Sequence, residues 1–142
     1  MKSVAELLKQ RDGPLHTVTS GASVFEALQI LAKNDIGALP VVEGDKLVGI
    51  VSERDYTRKI ALQGKSSRDC LVADIMTKEV VVVTLTTRAR ACMALMSSKH
   101  IRHLPVMDGE KLMGMISIRD ILDAVIADQA ATIEQLETYI HS

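Results

Sequence analysis

Aromatic residues are scarce in this 142-residue chain, which has no Trp, one Phe and two Tyr. Platforms on which the bases of single-stranded nucleic acid could stack are therefore largely missing. A basic excess is missing too, because 17 basic residues stand against 18 acidic ones, a net charge of −1. Proteins that bind nucleic acid usually carry a clear excess of positive charge. The sequence therefore predicts no nucleic-acid partner.

Long apolar runs and cysteines are equally scarce. The longest uncharged, largely apolar stretch, residues 80–87, is far too short to cross a bilayer, and the first residues contain no apolar signal-peptide core. Two cysteines, Cys70 and Cys92, cannot build a disulfide framework, which favours a reducing compartment. We therefore expect a cytoplasmic protein with no membrane partner, whose core consists of Val, Ile, Leu, Ala and Met.

The chain contains an internal duplication. Residues 36–56, IGALPVVEGDKLVGIVSERDY, align without a gap with residues 101–121, IRHLPVMDGEKLMGMISIRDI, and 11 of the 21 positions are identical. Average residue usage would give roughly one or two matches. The two segments, offset by 65 residues, are therefore two copies of one unit.

Each copy shows the same order of local patterns. A short β-type run precedes apolar residues at helical spacing, and two apolar runs joined by a Gly-containing turn then lead into a second helix. Each copy is thus predicted to be β-α-β-β-α in about 60 residues, which is too small to bury a core alone. We expect a mixed α/β (α+β) fold in which the two copies pack as a pseudo-twofold pair. The predicted domains are residues 4–64 and 68–127, the β-type runs are residues 15–18 and 80–83, and the turns lie at Gly44-Asp45 and Asp108-Gly109.

A separate short helix is predicted for residues 128–142. Thr132 and Gln135 fit a capping box, and Ile133, Leu136 and Ile140 form an apolar stripe. Together with apolar residues of the preceding helix, this stripe forms a larger apolar surface than one pair of copies would cover. We therefore expect a homodimer.

The junction between the last strand and the last helix of each copy carries a polar motif, G-h-h-S-x-R-D (h, hydrophobic), at residues 49–55 and 114–120. A Ser three residues before an Asp is also a capping box, so a purely structural role explains these two residues. A cap has no use for the Arg before the Asp, whereas a guanidinium suits a phosphate and a carboxylate can hold both hydroxyls of a ribose. The motif favours a nucleotide site, with the capping role as the alternative.

The duplicated motif, with the preceding Leu-Pro-Val and Gly turn, resembles the signature of CBS domains. Two copies in one chain, from about residue 4 to residue 127, resemble the tandem CBS pair known as a Bateman module. The resemblance implies a regulatory module without catalytic activity that binds an adenosyl ligand such as AMP, ADP, ATP, NAD or S-adenosylmethionine. It also implies that ligand binding changes the pair and thereby signals to an effector protein, which the sequence does not identify.

The same resemblance implies two ligand clefts formed crosswise between the copies. With Arg54 and Arg102, and His103 as a further donor, the Asp55 cleft is expected to be the more basic one and to prefer a longer polyphosphate or dinucleotide. The first cleft is expected to comprise Ser52, Arg54, Asp55, Val80, Val81, Ile101, Arg102 and His103. The second is expected to comprise Leu15, His16, Ile36, Gly37, Ala38, Ser117, Arg119 and Asp120.

Two other functions stay open. A nucleotide-processing enzyme is disfavoured because the sequence contains no evident nucleophile–base pair, metal cluster or catalytic Gly loop, so no catalytic residue or catalytic cofactor is predicted. His100 and His103 lack a third ligand, so no metal site is predicted. If the two motifs only cap helices, the chain is instead a structural dimerisation module.

Overall fold

The computed structural model describes residues 1–11 and 13–141. The chain contains both helices and strands in two sheets, which confirms the predicted mixed α+β class. The elements are α1 (Val4–Lys9), β1 (Val18–Thr19), α2 (Val24–Asn34), β2 (Ala38–Glu43), β3 (Lys46–Ser52), α3 (Glu53–Tyr56) with a π-helical turn (Thr57–Ala61), α4 (Val72–Ile75), β4 (Val83–Thr84), α5 (Ala89–Lys99), β5 (His103–Asp108), β6 (Lys111–Ser117) and α6 (Ile118–His141).

Each copy contributes one three-stranded sheet, with strand orders β1-β2-β3 and β4-β5-β6. The first two strands of each sheet run parallel, and β2 pairs with β3 in antiparallel fashion. Gly44 and Gly109 begin the two hairpin turns with φ angles of 60° and 62°, in the left-handed region that favours glycine. Asp108 is still the last residue of β5, so the second turn lies one residue later than predicted.

The first strand of each copy is shorter than predicted. Only Val18 and Thr19 pair with β2, where Val18 lies opposite Val41. One residue earlier on β2 comes Pro40, which has no N–H group to donate, so the ladder ends there. Pro105 stands before Val106 in the same way in the second sheet. Residues 15–17 and 80–82 therefore have irregular backbone rather than the predicted strand.

The chain forms two compact units whose limits do not follow the duplication. Unit 1 comprises Met1–Gly13, Val82–Asp108 and Gly114–Ser142, and unit 2 comprises Pro14–Val81 and Gly109–Met113. The segment before Pro14, which the predicted domain limits assign to the first copy, thus belongs to a unit with most of the second copy. Ser142, the end of the predicted C-terminal helix, lies outside the described residues.

Helix α1 is held in unit 1 by its own cap and by backbone bonds. Ser3 and Glu6 form a capping box at its start, and Val4 and Leu7 are buried. The N–H of Val4 donates to the carbonyl of Thr87 at 2.8 Å. Through this bond and the burial of Val4 and Leu7, α1 packs on the second copy. It does so although α1 precedes the first copy in the sequence.

Helix α4 has the corresponding place in unit 2. Val72 and Ile75 are buried, and the N–H of Val72 donates to the carbonyl of Ala22 at 2.9 Å. Each copy's leading helix is therefore found in the unit that holds the other copy's motif.

The last helix is continuous, so the prediction of a separate helix after residue 127 is wrong. Thr132 Oγ1 donates to the carbonyl of Asp128 at 3.0 Å, a bond within the helix rather than a cap. The Ala-rich stretch 127–131 contains strong helix formers and no Gly or Pro, which explains why the helix does not break. Ile121 and Ala124 are buried, whereas every residue from 129 to 141 is exposed. No helix among the described residues is long and apolar enough to span a membrane.

Candidate functional site

The first motif forms a complete capping box. Ser52 caps α3 and accepts a hydrogen bond from the N–H of Asp55 at 3.1 Å. In return, Asp55 Oδ2 accepts from the N–H of Ser52 at 2.9 Å and from its hydroxyl at 3.0 Å. Asp55 has 9% of its surface exposed, and it is the one buried charged residue among the residues that the structure describes. The motif's Asp is therefore held in one fixed position.

The second motif repeats this geometry. Asp120 Oδ2 accepts from the N–H of Ser117 at 2.8 Å and from its hydroxyl at 3.0 Å, and the N–H of Asp120 donates to Ser117 Oγ at 3.3 Å. In both copies these bonds use only the Oδ2 atom of the carboxylate. A capping role and a ligand role are therefore compatible, because the cap orients the carboxylate without using both of its oxygens.

Asp55 has a second partner that the sequence analysis missed. Lys59 Nζ lies 3.2 Å from Asp55 Oδ1 and donates to the carbonyl of Ile75 at 2.7 Å. The spacing of four residues on one helical segment was the available signal, since such pairs face each other. Lys59 therefore brings a positive charge directly to the first motif.

Asp120 also has a missed partner, which comes from the N-terminal segment. Arg11 Nη1 lies 3.8 Å from Asp120 Oδ2 and donates to the backbone carbonyl of Met115. No local pattern could have shown this, because the two residues are more than a hundred positions apart. Arg11 therefore brings a guanidinium to the second motif.

The loop before the hairpin of each copy touches that copy's own motif. The N–H of Glu53 donates to the carbonyl of Gly37 at 3.1 Å, and the N–H of Ile118 donates to the carbonyl of Arg102 at 2.8 Å. These contacts group Gly37 with Asp55, and Arg102 with Asp120. The cross-copy grouping expected from the sequence, which paired these loops the other way, stays a prediction.

His103, next to Arg102, is half-buried in unit 1. Burial, the largest cause, lowers the pKa of its imidazole, and the negative charge of Asp120 partly opposes this. The nearby guanidinium groups of Arg102 and Arg11 lower the pKa further. A pKa below the ordinary 6.5 leaves the ring uncharged at pH 7, so His103 offers a neutral donor or acceptor beside Asp120.

The remaining candidate residues differ in burial. Arg54 and Arg119 are exposed, whereas Ile36, Val80, Val81 and Ile101 are half-buried and Ala38 is buried. Leu15 and His16 line an open depression of about 420 Å³ on unit 2. Its other lining residues are Thr17, Glu26, Gln29, Ile30, Lys33 and Asn34.

His100 has a structural position rather than a ligand's position. Its φ of 54° makes it the left-handed C-cap of α5, as Asp35 with a φ of 51° is for α2. In the part of the chain that the structure describes, no three His, Cys, Asp or Glu side chains come together as a metal site. The two histidines therefore have separate surroundings and separate roles.

Comparison with known sequences identifies the repeat. A family model described as CBS domain matches residues 4–62 and again residues 72–127. The chain is 39% identical over 137 residues to the CBS domain-containing protein CBSX3, mitochondrial, of Arabidopsis thaliana, covering 93% of this chain and 66% of the plant protein. It is 37% identical over 117 residues to an inosine-5'-monophosphate dehydrogenase of Methanocaldococcus jannaschii, covering 81% of this chain but 22% of that enzyme. This chain thus corresponds to part of each relative.

Solved structures agree with this match. A protein with CBS domains from Burkholderia ambifaria shares 46% identity at a TM-score of 0.86, covering 90% of this chain and 96% of that one. The CBS domain pair of protein MJ0100, solved with 5'-methylthioadenosine and S-adenosyl-L-methionine, shares 27% identity at a TM-score of 0.78, covering 89% and 98%. A hexameric CBS-CP12 protein from bloom-forming cyanobacteria shares 30% identity at a TM-score of 0.75, covering 85% and 70%.

Both repeats are matched by one family model, and both carry the same capped S-x-R-D motif at the same strand-to-helix junction. The chain therefore belongs to the CBS domain family and is a tandem CBS domain pair, a regulatory module.

Proposed function

We propose that this CBS pair senses an adenine nucleotide, such as AMP, ATP or NAD, and passes the binding event to an effector protein through a change in the pair. The observation that carries the proposal is the doubled motif in which a Ser cap orients an Asp carboxylate. The adenosyl compounds bound by the similar CBS pair of MJ0100 support the choice of ligand class.

Within each site, the motif residues divide the ligand between them. The carboxylates of Asp55 and Asp120 accept the ribose hydroxyls, as acidic residues do in dinucleotide folds. Where the bound ligand carries a phosphate, Arg54 or Arg119 approaches it with a guanidinium that suits its oxygens. Backbone groups near Leu15 and near Val80 line the adenine.

We assign the loops to sites by the contacts within each unit, as an alternative to the cross-copy grouping that the sequence predicts. Gly37, flanked by Ile36 and Ala38, lies with the Asp55 site because its carbonyl is bonded to Glu53. Arg102, flanked by Ile101 and His103, lies with the Asp120 site because its carbonyl is bonded to Ile118. The Asp120 site, rather than the Asp55 site, then holds most of the basic side chains.

A structural dimerisation module is the second candidate function. The completeness of both capping boxes favours it, because a helix cap alone accounts for the hydrogen bonds between each Ser and its Asp. An enzyme is the third and weakest candidate. When nucleotides are added, a dimerisation module is expected to gain no stability and an enzyme is expected to form a product, whereas a sensor gains stability without turnover.

Thermal unfolding with a panel of AMP, ATP, NAD and adenosine separates these functions. A sensor is expected to gain about 2.7 kcal/mol of stability per site at a ligand concentration 100-fold above the dissociation constant. No gain with any member of the panel, at concentrations up to several millimolar, would leave only the dimerisation module. Chromatography of the same samples detects turnover, and a new product would identify an enzyme.

The compartment and the assembly state are part of the same proposal. Two free thiols, Cys70 half-buried and Cys92 buried, suit a reducing compartment such as the cytoplasm. Helix α6 exposes a row of apolar side chains that water contacts unfavourably and that a second copy could cover. The row consists of Leu122, Ile126, Ile133, Leu136 and Ile140, between 48% and 73% exposed. We therefore propose a homodimer that buries this row.

Removing residues 128–142 tests the homodimer. The truncation takes away Ile133, Leu136 and Ile140 but no residue of either motif, so we expect weaker dimerisation and unchanged nucleotide affinity. Sedimentation of both proteins at micromolar concentration measures the first, and calorimetric titration with AMP measures the second. A full-length chain that sediments as a monomer contradicts the dimer, and a loss of AMP affinity contradicts the separate placement of sites and tail.

A further inference from the structure

The two motifs share their Ser, Arg and Asp but differ in the other charged residues in and around them. At the offset of 65 residues, Ile118 replaces Glu53, and Ala124 replaces Lys59. In the loop bonded to each motif, Arg102 replaces Gly37. Arg54 and Arg119 correspond to each other, so they do not distinguish the sites. The duplication therefore kept the motif while its charged surroundings diverged.

A further difference comes from the segments after the leading helices. The sequence Val4-Ala-Glu-Leu-Leu-Lys-Gln-Arg11 aligns with Val72-Ala-Asp-Ile-Met-Thr-Lys-Glu79, which sets Arg11 against Glu79. The structure supports this alignment through Leu8 and Met76, each three residues earlier. A Cβ on Gly114 would lie 2.8 Å from Leu8 Cδ2, and a Cβ on Gly49 would lie 2.8 Å from Met76 Sδ.

The two sites therefore differ in charge balance. The guanidinium of Arg11 lies beside the Asp120 carboxylate, and the neutral His103 is nearby. Arg119 belongs to this motif, and Arg102 belongs to the loop that is hydrogen-bonded to it. At the other site, the basic groups of Arg54 and Lys59 are matched in number by the carboxylates of Asp55 and Glu53. An added negative charge is therefore favoured more at the Asp120 site than at the Asp55 site.

We propose that the two sites select adenosyl ligands by charge: the Asp120 site takes a phosphate-bearing ligand, and the Asp55 site takes an adenosyl ligand without phosphate. This rests on the proposed function, since it assumes that both motifs bind a ribose. It assigns to Arg11, which lies outside both motifs, the role of a specificity-determining residue.

Arg11 links the ribose position to the phosphate position. Its guanidinium lies beside the carboxylate that would accept the ribose hydroxyls, 3.8 Å from Asp120 Oδ2, and also donates to Met115. A sugar that binds Oδ1 of Asp120, the oxygen that the cap leaves free, lies close to Arg11. A phosphate on the same ligand gives the guanidinium a new bidentate partner, whereas adenosine gives it none.

Single-site proteins make the proposal measurable. Asp55→Asn in the full chain weakens binding at the Asp55 site, so that a titration measures the Asp120 site. Asp120→Asn weakens the Asp120 site, so that a titration measures the Asp55 site. Calorimetric titration with AMP and with adenosine then gives one affinity ratio for each site. We expect AMP to bind at least tenfold tighter than adenosine at the Asp120 site, and no tighter than adenosine at the Asp55 site.

Arg11→Gln and Glu79→Gln are the matched variants, because they remove opposite charges from equivalent positions. In the Asp55→Asn protein, Arg11→Gln should weaken AMP roughly ten- to hundredfold, the range for a lost charge-assisted bond, with adenosine little affected. In the Asp120→Asn protein, Glu79→Gln should strengthen AMP several-fold. Arg11→Lys should restore part of the AMP preference, and raised salt should reduce it.

The outcomes separate this proposal from the function on which it rests. If both sites show the same ratio of AMP to adenosine affinity, the charge selection is wrong and the nucleotide sensor stands. If Arg11→Gln weakens AMP and adenosine equally, Arg11 has a positioning role and the proposal is overturned. If the unmodified chain binds no member of the panel of AMP, ATP, NAD and adenosine, the sensor itself is wrong and this inference falls with it.

Discussion

Replacing Asp120 by Asn is expected to weaken adenine-nucleotide binding at that site about ten- to hundredfold, the range for a lost hydrogen bond to a charged acceptor. The amide oxygen of Asn can still accept from the N–H of Ser117, as Asp120 Oδ2 does at 2.8 Å, so the cap persists. The NH₂ group then stands where a carboxylate oxygen would accept a ribose hydroxyl. Calorimetric titration of the variant with AMP measures the loss.

Asp55→Asn is the matched substitution at the other motif, and each variant should leave the affinity of the opposite site nearly unchanged. Ser117→Ala and Ser52→Ala are the controls, because they remove the caps and keep the carboxylates. These controls should lower the free energy of unfolding by about 1 kcal/mol. If both Asp→Asn proteins bind nucleotides as the unmodified chain does, the motifs are helix caps and nothing more.

A loss of about 2–5 kcal/mol in the free energy of unfolding is expected for Ile121→Ala. This side chain on α6 is 0% exposed, so truncation leaves a cavity in the core of unit 1. Ile133→Ala changes the same residue type twelve positions later on the same helix, where the side chain is 56% exposed. There the loss should stay within about 0.5 kcal/mol for the dissociated chain.

Urea unfolding at low protein concentration measures both changes, and sedimentation measures the assembly. For the proposed dimer, the order of effects should reverse: Ile133→Ala should raise the dissociation constant, whereas a refolded Ile121→Ala protein should still associate. Equal destabilisation of the dilute chain by the two substitutions would show that the end of α6 is packed rather than exposed.

Local order along the chain follows from local patterns, and the sequence alone was enough for it. Helical spacing predicted α2 and α5, and the Gly turns predicted both hairpins, because period and turn chemistry act over a few residues. The S-x-R-D motif predicted the caps at Ser52 and Ser117, whose partners lie three residues away. Because each pattern occurs twice in the chain, the assignment of helices, strands and turns is less ambiguous than a single occurrence would allow.

Local sequence patterns predicted the wrong structure where another structural preference was stronger. Thr132 and Gln135 fitted a capping box, but the helix-forming stretch before them kept α6 continuous. The β-type runs at residues 15–18 and 80–83 had the right residue types, but Pro40 and Pro105 on the neighbouring strands left too few donors for a longer ladder.

Partners distant in sequence were decided only by the tertiary structure. Arg11 lies beside Asp120 because α1 packs in unit 1 and places the next residues there, a consequence of the chain path and of no pattern near either residue. The grouping of Arg102 with Ile118, and of Gly37 with Glu53, likewise depends on which loop lies against which helix. The sequence thus determined that two equal motifs exist and how each is capped. The charge that surrounds each motif depends on contacts between distant residues, which only the folded chain specifies.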